Sequence, residues 1–303
     1  MAPQSAERIP RRSALKAFAL GGAVLVLGPE ACAQSDPDRF VYDALMKPLD
    51  IGLSIPPENF KEEYDRVWGQ NYLDQPGDPG DKKAVDLVFE TVGKAESSNY
   101  KLFMSVGRWL GPRLTRDREE ARGKTGVYLR SVEPFSFPAF DTTHFSTGPL
   151  ITSDPRKIGG ELQVHRQWMT RPLRDADLKY IRLIGDLAHE YQHLQDDSRI
   201  LMMGAANGYD RSHLRNLLDN KYLYLLEARG YFISSAIFVL MTPYEKSFAP
   251  TQDEEISGGY SQLYDTARDI LQKGGGWQEP RWISLIKRLL DQKMIEISAL
   301  ASK

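Results

Sequence analysis

The chain has 303 residues, with 39 Lys+Arg against 41 Asp+Glu, a formal net charge of −2 and 41% hydrophobic residues. That balance excludes the strong basic footprint of a nucleic-acid-binding protein and gives no bias toward an anionic surface. The single cysteine, Cys32, excludes a disulfide framework, and the length admits one large domain or two small ones with a substantial core.

Residues 1–33 read as an export signal. Arg11-Arg12-Ser13-Ala14-Leu15-Lys16 resembles the twin-arginine motif of bacterial Tat signals, with Pro10 and Ala14 standing where that motif has Ser and Phe. An apolar run over residues 17–27 follows, interrupted by Gly21-Gly22, and is shorter than the about 20 residues that span a bilayer. Ala31-Cys32-Ala33 is an Ala-x-Ala cleavage site, so the mature chain begins near Gln34. Lipid attachment at Cys32 is the alternative, though Pro29 and Glu30 fit a lipoprotein signal poorly. The resemblance implies a periplasmic or secreted protein, folded and able to take up a metal before export. Removal of the signal takes Arg8, Arg11, Arg12 and Lys16 with Glu7 and Glu30, leaving a charge of about −4 and no cysteine. The nearest later approach to a membrane-spanning run, residues 231–241, is broken by Ser234-Ser235, so no stable membrane insertion is expected.

Asp36-Pro37 starts a helix that Pro48 ends, and Pro56-Pro57-Glu58 starts another through Phe60, Tyr64, Val67 and Trp68. The Pro/Gly-rich stretch 75–81 is a loop. Asp81 caps a helix through Val85, Val88, Phe89 and Val92, ending at Gly93. Strands are expected at 100–106, 126–132 and 161–168. Between the last two, the aromatic, Pro-rich passage 134–140 and on to His144 and Gly148-Pro149 reads as a long loop or short hairpin. Residues 161–168 alternate, with Leu162, Val164 and Trp168 on one side. Such a strand can form the edge of a cleft and hold an extended peptide, with Gln163 and His165 toward the substrate.

The chemistry concentrates at His189-Glu190-Tyr191-Gln192-His193. Leu178, Ile181, Ile184, Leu187, Tyr191 and Leu194 recur at helical spacing, and no proline interrupts them. Two histidines four apart face the same way on a helix and can share one ion. Glu190, about 100° round the helix, reaches a water on that ion without ligating it. Gly185 is the weak point of the helix and is read as permitting a close approach at a crowded metal site.

Residues 198–210 read as a loop with helical parts. Asp210 or Ser212 then caps a helix through Leu214, Leu218, Tyr222, Leu226 and Ile233. Glu227 is the one carboxylate in the apolar run from Tyr222 to Ala228, a costly position unless it is paired or metal-bound. Either it is a third metal ligand, or it pairs with Arg229, Lys221 or Arg215. Asp196, Asp197, Asp210 and Asp219 are competing acids. Two further amphipathic helices, one over 256–272 closed by Gly274-Gly275-Gly276 and one from Pro280, carry no chemistry.

His189-Glu190-x-x-His193 with Glu227-Ala228 on a later helix resembles the gluzincin-type zincin metallopeptidases, an HExxH superfamily. The resemblance implies a helix-rich α+β fold with a metal-binding helix beside a small mixed or antiparallel sheet. It also implies one Zn2+ per chain held by His189, His193 and Glu227, with Glu190 as general base. The thermolysin subgroup has an Asp four residues after its ligand glutamate; Tyr231 stands there in this sequence, so that subgroup's substrate preference does not transfer. Helical spacing makes Asp186 and Asp196 candidates to orient the histidines. It also makes Tyr231, His213 and Tyr224 candidate donors to an oxyanion.

The expected organisation is a removed signal over 1–33, a mixed α/β half over 34–170 with the cleft-edge strand, and a helical half over 171–303 carrying both metal-bearing helices. The expected function is an exported zinc metallopeptidase acting on a peptide or protein. Two other readings stay open: a non-catalytic zincin-like binding module with a structural metal, in which His165 or His213 fills the fourth position, and a metal-free exported helical binding protein.

Overall fold

The computed structural model describes residues 36–49, 62–63, 66–67, 80–124, 126–132, 145–151, 158–165, 179–241 and 259–301. The chain divides into two units, Met1–Ser35 and Asp36–Lys303, and every helix and strand described belongs to the second. The signal, most of the helix from Pro56, the 134–140 passage, His144 and Trp168 lie outside the described residues.

Asp36 caps α1 (Pro37–Leu45), its carboxylate accepting the Asp38 N–H at 3.0 Å, with Pro37 at the first helical position. Helix α2 (Gly80–Glu96) runs past Gly93, where the sequence suggests an end. Residues 100–106, expected as a strand, belong instead to α3 (Lys101–Leu110). Leu102, Phe103, Val106 and Leu110 are all buried, a spacing that fits one helical face and overrides the β preference of Phe and Val. Short elements β1 (Leu114–Thr115) and α4 (Arg118–Lys124) lead into β2 (Val127–Val132), close to the expected strand.

Strands β3 (Phe145–Ile151) and β4 (Ile158–His165) complete one mixed four-stranded sheet of order β1-β2-β4-β3. β1–β2 and β2–β4 are parallel, and β3–β4 is antiparallel, with Thr147 opposite Leu162 and Pro149 opposite Gly160. The strand expected at the cleft edge is therefore interior: β4 is hydrogen-bonded on both sides, and β3 is the outermost strand among the described residues. The alternation of Leu162 and Val164 sets which face is buried, and says nothing about how many neighbours the strand has.

The histidine-bearing helix, α5 (Lys179–Ala206), continues through the stretch that reads as a loop, because Ile200 and Leu201 are buried and prolong its apolar stripe. Asp210 then caps α6 (Arg211–Asn216), accepting the His213 N–H at 2.8 Å. A π-helical turn, Leu217–Lys221, interrupts the helix expected to run on from there. Helix α7 (Leu223–Met241) is apolar nearly all round, as its packing requires: it touches α5, α8 (Gly259–Gln272) and α9 (Pro280–Ala301). A Cβ at Gly185 would lie 2.9 Å from the Phe238 ring, so this glycine brings α5 close to α7 at Phe238 and does not serve the metal-bearing residues.

The result is a helix-rich α+β fold with a small mixed sheet and one continuous core. Among the described residues no helix is long and apolar enough to cross a membrane.

Candidate metal centre

Helix α5 presents His189 and His193 one turn apart, their Nε2 atoms 2.8 Å from each other. Helix α7 packs against it and supplies Glu227. Glu227 Oε2 lies 3.2 Å from His189 Nε2, and Oε1 lies 3.7 Å from His193 Nε2. On a tetrahedral ion with bonds of about 2.0–2.1 Å, ligand atoms stand about 3.3 Å apart. The three measured separations bracket that value, and one donor atom from each residue fits within 4.8 Å of the others. Two imidazoles and a carboxylate suit zinc and other first-row divalent ions. The residues therefore fit a metal ion. The side chains keep 12%, 13% and 21% exposure, so solvent reaches them.

The alternative partners considered for Glu227 are engaged elsewhere: Arg229 with Asp196, Lys221 with Asp38, and Arg215 with Asp219. No fourth His, Cys, Asp or Glu joins the group among the described residues. Glu190 also stands outside the group. Its Oε2 accepts a 2.7 Å hydrogen bond from Thr147 Oγ1 on β3, which turns the carboxylate toward the sheet edge. The sequence gives no sign of Thr147, which sits in a stretch that reads as loop.

The other expected site residues divide sharply. Tyr231 packs edge-on against His189, ring centroids 4.7 Å apart, and Tyr264 stands behind it at 6.4 Å. Asp186 lies half-buried one turn before His189, and Tyr224 half-buried one turn before Glu227. Asp196 does not orient His193. It is fully buried and accepts hydrogen bonds from Arg229, Arg199 and Gln192, because the arginine on the neighbouring helix is the stronger partner for a buried carboxylate. His213 is exposed on α6, outside the metal group. Gln163 and His165 point away from α5: a Cβ at Gly160 would meet Leu194 of α5, and odd-numbered positions of the strand take the opposite face. On that far face His165 Nε2 is 3.1 Å from Ser146 Oγ, so neither residue lines a cleft beside the metal group.

Electrostatics favour a cation here. Burial disfavours a charged His193, but Glu227, Glu190 and Asp197 outweigh it and raise its pKa from 6.5 to about 9. Burial likewise disfavours a charged Glu227, and the two imidazoles overcome this to hold its carboxyl far below the usual range. Burial pushes the Asp197 carboxyl up to about 7, partly offset by His193 and Arg215. In the metal-free protein the raised His193 contributes stability that is complete below about pH 6.5 and lost as pH rises through about 9. The depressed Glu227 contributes above about pH 4.5 and loses that contribution as pH falls through its folded value. Metal binding near pH 7 must displace the His193 proton. Calorimetry in buffers of different ionisation heat should therefore register at least about one proton released per ion at pH 7; no release at pH 7 contradicts a protonated His193 in the metal-free protein.

Gly230 has the tightest steric role in the site. A Cβ there would lie 2.7–2.8 Å from the Cε1, Nε2 and Nδ1 atoms of His189. Gly230→Ala is expected to push the ring off its position. The expected cost is about tenfold or more in metal affinity and about 1–3 kcal/mol in stability from overpacking. Competition against a chromophoric chelator measures the first; parent-like affinity would show that the ring has room to spare.

Comparison with protein-family models, curated proteins and solved structures returned no match for this chain.

Proposed function

We propose that the protein is an exported zinc-dependent peptidase of the zincin kind, with His189, His193 and Glu227 as ligands and Glu190 as general base. One observation carries the reading: a glutamate adjacent to two convergent imidazoles is kept out of the ligand set by a hydrogen bond from Thr147 on the sheet's edge strand. A purely structural metal cage has no use for such a residue. The partial exposure of the three ligands, without a fourth among the described residues, supports an open position for solvent.

A zinc ion held by His189, His193 and Glu227 would supply Lewis acidity toward a peptide carbonyl and a water. Glu190 takes that water's proton and returns it to the leaving amine. Thr147 holds the carboxylate in place between the two transfers. In this reading Tyr231, whose ring packs edge-on against His189, is the candidate donor to the developing oxyanion. Strand β3, which pairs only with β4 among the described residues, takes the substrate in extended form by main-chain hydrogen bonds, in the role expected of β4. The Tat-like sequence supports activity in the periplasm or outside the cell.

The test is cleavage of a peptide library by the purified protein, with and without a chelator. Cleavage abolished by chelation and restored by zinc is the expected result. A fully zinc-loaded protein that leaves every peptide intact overturns the proposal.

A further inference from the structure

A cavity of about 170 Å³ lies under the metal-bearing helix, between the end of α3, the sheet and the lower half of α5. Its lining includes Trp109 and Arg113, Gly159 and Gly160 of β4, and Asp197 and Ser198 of α5. Arg113 is half-buried, and its guanidinium lies 4.6 Å over the Trp109 ring. Its Nη1 donates to the Trp109 carbonyl at 2.9 Å, and among the described residues no carboxylate pairs with it. Asp197 is in the converse position. It takes no hydrogen bond and no contact ion pair among the described residues; the cations that act on it, His193 one turn back and then Arg215, do so without contact, and Arg215 is itself paired with Asp219. The Ser198 hydroxyl is engaged with the Met202 sulfur.

A guanidinium with no carboxylate partner and an acid with no contact ion pair, among the described residues, thus line one small cavity without pairing with each other. Each costs free energy where it stands, and a ligand carrying both charges relieves both costs. Size narrows the choice: an engineered cavity of about 150 Å³ holds one benzene ring, so this one takes a ligand of the size of alanine or serine. We infer that the cavity binds a small free α-amino acid zwitterion, its ammonium on Asp197 and its carboxylate on Arg113. Asp197 follows His193 by one turn, about 6 Å along α5. The inference needs neither the metal nor Glu190, so it stands or falls separately from peptide hydrolysis.

Isothermal titration of the full chain with L-alanine, L-serine and L-alanyl-L-alanine, and with N-acetyl-L-alanine and L-alaninamide, tests it. Binding of an unblocked probe, weakened tenfold or more by either block, is the expected result. L-Alanyl-L-alanine, whose two charges sit on different residues, is expected to bind more weakly than alanine; equal or tighter binding overturns the single-residue assignment. Arg113→Met should no longer distinguish alanine from alaninamide, and Asp197→Asn should no longer distinguish alanine from N-acetylalanine. If a variant fails to fold, the blocked probes on the parent protein still decide. No heat from any probe at millimolar concentration, or equal affinity for blocked and unblocked forms, overturns it.

Discussion

Under the proposed zinc-peptidase function, Glu190→Gln is expected to lower peptide hydrolysis by about 10²–10⁴-fold while leaving one metal ion per chain in place. The expectation separates base from ligand. Glu190 lies outside the group formed by His189, His193 and Glu227, so its loss as a carboxylate removes no bond to the ion. The substituted amide keeps an oxygen to accept the Thr147 hydroxyl, now donated at 2.7 Å to the carboxylate, so the local packing survives. What disappears is the ability to take a proton from water. Rates and metal content should be read on the same preparation. A variant that retains metal and cleaves at the parent rate rules out Glu190 as the base, and one that loses metal makes it a ligand.

Arg229→Met is expected to destabilise the fold by about 3–5 kcal/mol, because it leaves a buried carboxylate without its main counter-charge. Arg229 and Asp196 have side-chain exposures of 2% each and meet at 2.6 Å. The guanidinium also donates to the carbonyls of Leu45 and Lys47, at 2.6 and 2.7 Å, and lies 5.4 Å from the Trp277 ring centroid. One side chain therefore ties α5, α7, the end of α1 and the segment after α8, two residues from Glu227. Arg199 still reaches Asp196 at 2.9 Å, which sets the loss toward the lower end of that range. Denaturant unfolding of the metal-free protein measures it. A loss under about 1 kcal/mol, the scale of an exposed pair, would show that the network is solvated.

The candidate metal ligands are legible in the sequence because their chemistry is local or anomalous in its surroundings. His189 and His193 need only a helix to converge, and the apolar spacing around them announces one. Glu227 stands out as a carboxylate among Tyr222, Leu225, Leu226 and Ala228, and burial of that run forces it to a partner. Thr147 is not legible: its meeting with Glu190 depends on the register of β3 against β4 and on the crossing of the sheet by α5, neither of which leaves a local pattern. Gly230 carries no signal for a similar reason, since what it accommodates is a ring on another helix. Asp196 shows the limit of spacing arguments. Three residues from a histidine is a suitable place to orient it, but an arginine on the facing helix binds the carboxylate more strongly. Residues 100–106 mislead because Phe103 and Val106 favour strands individually, while burial selects the helical period they share with Leu102 and Leu110.

X-ray absorption at the zinc edge, with metal analysis of the same purified protein, tests the central claim most directly. One zinc per chain is predicted, bonded to two imidazole nitrogens and one carboxylate at about 2.0–2.2 Å, with a solvent oxygen in the fourth position. It should be lost with His189→Ala. Substoichiometric metal after incubation with excess zinc, or a fourth side chain in place of solvent, would contradict the account.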